Sequence, residues 1–78
     1  MKKDELVARL CSKKVPPQMY SLGEIGRGEC YSVIPESEFW KVVYVERGKV
    51  SDIQSGLTED EAYDLVYQEF KNMYGWTN

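Results

Sequence analysis

The sequence predicts an α+β fold: a short amino-terminal helix, an antiparallel meander of three or four strands, and a longer carboxy-terminal helix packed on one sheet face. Three observations lead there. The end of the chain carries a helix-period apolar stripe headed by Thr58-x-x-Glu61. The middle consists of short β-prone runs broken by turn residues. The strongest of these runs, from Trp40 through Val45 to the Glu46-Arg47-Gly48 turn, is apolar on both faces.

In chain order, Asp4 is expected to cap a helix over about 4–14, in which Leu6, Val7, Leu10 and Cys11 form one apolar stripe. Pro16-Pro17 ends it. A sheet follows over about 19–56, with strands at Met19 to Leu22, Glu29 to Ile34, Phe39 to Glu46 and Val50 to Gln54. The breaks between them, Gly23 to Gly28, Pro35 to Ser37 and Arg47-Gly48, are short, which favours hairpins. In the third strand Trp40, Val42 and Tyr44 share one face, while Phe39, Val43 and Val45 share the other. One face therefore meets helices, and the other is partly covered or awaits a partner.

The closing helix, over about 59–74, has Ala62, Leu65, Val66, Phe70 and Met73 as its stripe and Tyr63, Tyr67 and Tyr74 along one margin. Glu69 falls beside that stripe, where it reaches solvent or meets a basic partner. Gly75 stops the helix, and Trp76 folds back or projects into solvent. The whole, residues 1–78, reads as a single domain.

Composition narrows the function classes. With 42 % hydrophobic and 13 % aromatic residues the chain lies outside the disordered range. Its net charge of −3 repels a phosphate backbone and attracts a basic surface, so a protein partner is favoured over nucleic acid; the competing reading is that this charge serves solubility alone. Lys2-Lys3 is followed by Asp4 and Glu5 rather than by an apolar run, unlike a signal peptide, and no segment is suited to span a membrane; the expectation is a cytoplasmic protein. Cys11 and Cys30 fit reduced, buried thiols, with a bridge between them as the alternative.

No catalytic, metal or cofactor constellation emerges. There is no histidine, two distant cysteines do not complete a four-thiolate site, and Glu59-Asp60-Glu61 is better explained by helix capping than by calcium. Glycines 23, 26 and 28 precede a strand rather than a helix, so they suit a hairpin loop better than a phosphate cradle. The expectation is a protein without enzyme activity or cofactor. The helix, strands, helix order is shared with double-stranded RNA-binding domains, whose closing helix needs lysines at its start; here Glu59, Asp60 and Glu61 oppose that charge.

Tyr20-Ser21-Leu22, Glu29-Cys30-Tyr31, Trp40-x-Val42-x-Tyr44-x-Glu46-Arg47-Gly48 and Glu59-x-Glu61-Ala62 together resemble small bacterial immunity proteins of polymorphic and contact-dependent-inhibition toxin systems. The resemblance covers roughly residues 20 to 70; the Gly23 to Gly28 loop and the amino-terminal helix depart from it. It implies a cytoplasmic, non-enzymatic inhibitor that binds a cognate toxin domain, such as a nuclease. On that reading Trp40 and Tyr44 are semi-exposed anchors, Glu46, Glu29 and Glu24 acidic contacts, and Arg47 a counter-charge. The plainer readings are core packing for Trp40 and Tyr44 and a local turn pair for Glu46 and Arg47. An adaptor that works through its sheet edge, a nucleic-acid-binding variant of the fold, and a homodimer through a strand edge are the alternatives.

Overall fold

A computed structural model of the chain describes residues 1–77. Helix α1 (Lys3–Ser12) leads through a single 3₁₀ turn (Pro17–Met19) into strand β1 (Tyr20–Leu22). Strands β2 (Cys30–Glu36), β3 (Phe39–Glu46) and β4 (Lys49–Leu57) follow, and helix α2 (Glu59–Tyr74) closes the fold. The strands form one sheet in the order β1-β2-β3-β4.

The antiparallel meander runs from β2 to β4, but β1 pairs with β2 in parallel, so the sheet is mixed. A parallel neighbour ordinarily needs a longer connection. Here β1 is so short that the 23–29 loop has only about 10 Å of strand to retrace. Beyond that, β2 runs on through Pro35 to Glu36 and β4 extends to Leu57. Register shifts along the β3–β4 ladder accommodate β4's extra length.

Both helices lie on one sheet face and point the same way. At their starts Met1 and Lys2 meet Asp64 and Asp60; at their ends Arg9 lies over the Tyr67 ring and Lys13 over Trp76. Between helices and sheet the core gathers Leu6, Leu10, Val33, Val42, Val66 and Phe70, each fully buried.

Only Leu6 and Leu10 of the predicted α1 stripe enter this core; Val7 and Cys11 are exposed. Side by side with α2, the short helix has one i, i+4 seam to bury, and the positions a third of a turn round face solvent. Cys11 is thus a surface thiol, Cys30 a buried one, and both are free. Asp4 is not the cap: the helix begins at Lys3 after Lys2, with no side-chain cap bond, and Asp4 sits in the first turn.

In α2 the capping box forms. Thr58 Oγ1 accepts from the Glu61 amide at 3.1 Å, and Glu61 Oε1 accepts from the Thr58 amide at 2.9 Å. Tyr63 and Tyr67 are buried in the core rather than marginal, because α2 packs against both α1 and the sheet; Met73 is exposed. Gly75 adopts the left-handed conformation and the Trp76 amide donates back to the Lys71 carbonyl at 3.0 Å, so Trp76 folds onto Tyr67 and Tyr74.

The opposite sheet face carries a second, smaller cluster of Cys30, Val43 and Val45 with Ile34 packed beside it. Among the described residues no helix covers it; the 23–29 loop comes down on it instead. Its rim is partly charged, with Lys41 between Glu36 at 3.5 Å and Asp52 at 3.7 Å.

Candidate interaction surface

Register builds the site. Tyr20 pairs with Tyr31 across β1 and β2, and Tyr31 pairs with Tyr44 across β2 and β3, so three tyrosines line up in one row across three strands. Tyr44 shares its face with Val42, which the helices cover, but α2 shields only part of the row at this end. All three tyrosines are half-buried. The Tyr31 and Tyr44 rings lie 4.9 Å apart at 57°, and Phe70 of α2 meets Tyr31 edge-on at 5.1 Å and Tyr20 at 6.4 Å. Tyr74, 47 % exposed, stacks on Phe70, and its hydroxyl meets the Met19 sulfur at 3.3 Å. With Met73 alongside, this end of the molecule presents tyrosine and methionine, residue types enriched in protein interfaces.

Carboxylates frame the row. Burial, and after it the Glu69 charge and Tyr44, push the Tyr31 phenol above its ordinary value. Tyr44 is raised in the same direction by burial, then by Glu29 and Glu46, with Cys30 contributing last. Glu69 comes from α2, Glu29 from the loop before β2 and Glu46 from the end of β3. Among the described residues the ion pairs engage Glu5, Glu36, Asp52, Asp60 and Asp64, and none engages Glu24, Glu29, Glu46 or Glu69. No three metal-ligating side chains gather among the described residues, so these carboxylates border the rings instead of converging on a point. The described residues enclose no pocket either; what this corner offers is an open surface.

Comparison with protein-family models, curated proteins and solved structures finds no match to this chain.

The six residues singled out from the sequence fall in three places. Tyr44, Glu46 and Glu29 come together at the corner just described. Arg47 is beside them at the β3–β4 hairpin tip, exposed and at φ 50°, with Gly48 at φ 80°. Two successive positive values make a type I′ turn, where Asn or Gly is the favoured first residue, so an arginine is held there against turn preference. Among the described residues no ion pair joins it to Glu46. Glu24 is exposed on the 23–29 loop. Trp40 lies at the other end of β3, about 13 Å along the strand from Tyr44, half-buried against the core with its ring 6.4 Å from Tyr63.

Tyr20, Tyr31 and Glu69 escaped sequence reasoning as members of one site. An alternating pattern gives each strand's faces but not which residues stand opposite each other, and the parallel β1 pairing brings Tyr20 into the row. Glu69 did carry a signal, as a carboxylate beside an apolar helix stripe.

Proposed function

We propose that the chain is a non-catalytic binding protein whose tyrosine row docks on a basic surface of a partner protein. The observation that carries this reading is the Tyr20, Tyr31, Tyr44 row bordered by Glu29, Glu46 and Glu69, none of them in an ion pair among the described residues. Tyrosine supplies large contact area at a low ordering cost, and its ring face accepts a guanidinium. Carboxylates around the rings speed encounter with a basic partner and disfavour acidic ones. The sequence resemblance makes the partner a cognate toxin domain and the role cytoplasmic immunity; a nuclease toxin, basic where it holds nucleic acid, suits the charge of this corner. No helix among the described residues is long and apolar enough to cross a membrane.

The test is capture of partners by the purified protein and by its Tyr44→Ala/Glu46→Lys variant from a nuclease-treated lysate of the source organism. The reading expects a basic protein held by wild type and lost by the variant, and expects that protein to arrest growth when expressed alone and to be neutralised by co-expression of wild type. A captured protein without growth-arresting activity removes the immunity role and leaves the binding role. Retention by both forms, or tight binding of duplex RNA, overturns the surface assignment itself; the acidic start of α2 at Glu59, Asp60 and Glu61 argues against the RNA outcome.

A further inference from the structure

The 23–29 loop touches the sheet at few points, and those points differ in kind from the rest of it. Glu24, Ile25, Arg27, Gly28 and Glu29 are exposed. Gly23 and Gly26 fasten the segment: the Gly23 amide donates to the Val33 carbonyl at 2.7 Å, and the Gly26 amide donates to Ser32 Oγ at 3.1 Å. Ser32 is fully buried and also meets Cys30 Sγ at 3.5 Å. Gly26 is needed for space rather than for conformation. A Cβ there would stand 2.7 Å from Cys30 Sγ and 2.9 Å from Ser21 Cβ, whereas the other glycines have open room around them.

We propose that this loop is a latch, seated by Gly26 on the Ser21, Cys30 and Ser32 side chains, that opens as a unit while the two-helix core stays folded. The large core cluster lies on the other face of the sheet, and the cluster beneath the loop is small, so lifting the loop breaks a few contacts and leaves the main packing intact. Seating also bears on the tyrosine row, since Glu24 and Glu29 ride on the loop and, with the loop seated, the Glu29 charge acts on the Tyr44 phenol. The latch stands whether or not the tyrosine row binds a partner.

Cys30, 2 % exposed, is a built-in reporter of opening. In Cys11→Ser protein it is the one remaining thiol. Its labelling is read with 5,5′-dithiobis(2-nitrobenzoate): the thiolate attacks the aromatic disulfide, a mixed disulfide forms and thionitrobenzoate leaves. The latch predicts labelling that is flat across urea concentrations below the unfolding transition. It also predicts labelling about fivefold faster in Cys11→Ser/Ser32→Ala, which loses the Gly26 bond, and about tenfold or more in Cys11→Ser/Gly26→Ala. If the alanine at 26 prevents folding, the parent and Ser32→Ala proteins decide the matter. Labelling that climbs with urea in step with global unfolding, or an unchanged rate in the Ser32→Ala protein, overturns the proposal.

Discussion

Tyr63 shows how one buried residue joins the core to the solvent. Its ring is 2 % exposed in the centre of the core, yet its hydroxyl donates to Glu59 Oε2 at 2.7 Å. Burial first, then the bond to and charge of Glu59, with Asp60 adding to them, hold the phenol proton far more tightly than in an unfolded chain. A folded value raised above the unfolded value of 10.0 means that the associated stability is fully present below about pH 10 and is lost as pH rises beyond it. Urea unfolding between pH 8 and pH 11 should therefore show stability falling above pH 10, and Tyr63→Phe should lessen that fall, Tyr31 and Tyr44 carrying the remainder. At pH 7 the same substitution should cost about 1 kcal/mol, through the lost hydrogen bond. The burial of Tyr63 was only half legible in the sequence: helical spacing placed it beside the stripe, and the width of the stripe depends on α1 lying against α2, which no local pattern records. Cys11 is the converse case, an apolar residue at stripe spacing on a helix too thinly covered to bury it.

At the scale of elements, the ends of α2 were the most readable part of the chain, because capping chemistry is local. Thr58→Ala removes the acceptor for the Glu61 amide and should lower stability by about 1 kcal/mol in urea unfolding, with helix content retained in the folded state. The β3–β4 hairpin was readable for the same reason, since Arg47-Gly48 is a turn in its own right. Arg47→Asn suits the left-handed turn position better and should raise the urea midpoint, by up to about 1 kcal/mol of stability. If Arg47 is kept there for contact with a partner, the stabilised variant should bind that partner less tightly, measured by calorimetry. The parallel setting of β1 was not readable. Short loops argue for hairpins in general, and only the close approach allowed by Gly26 lets the 23–29 segment double back over the sheet.

Across the whole molecule, charge is sorted by place. Lys2, Lys3, Arg9, Lys13 and Lys14 outnumber Asp4 and Glu5 at the amino-terminal end, while acidic residues predominate in the remainder. Lys13 and Arg9 are spent on the Trp76 and Tyr67 rings, and Met1 and Lys2 on the start of α2, so much of the basic end is engaged within the fold. Among the described residues the carboxylates around the tyrosine row join no ion pair. The sequence disclosed half of that corner, through Tyr44, Glu46 and Glu29; the other half, Tyr20, Tyr31 and Glu69, exists only once register and helix docking are set. Trp40, grouped with them by its strand, stands at the opposite end of β3 because four residues of strand rise separate it from Tyr44, a distance that needs no register to read.

The most direct test of the corner's role is the association rate of the captured partner with wild-type protein, with Glu29→Lys/Glu46→Lys and with Glu38→Lys, at low and high salt. Glu38 is exposed in the β2–β3 turn, away from the tyrosine row, so its reversal, half the charge change of the double variant, reports how far a remote charge alone slows association. A basic partner steered by this corner should associate about tenfold more slowly with the double variant at low salt, with the difference shrinking at high salt, and at nearly the wild-type rate with Glu38→Lys. Equal rates for wild type and the double variant, or an equal loss in Glu38→Lys, would contradict the assignment.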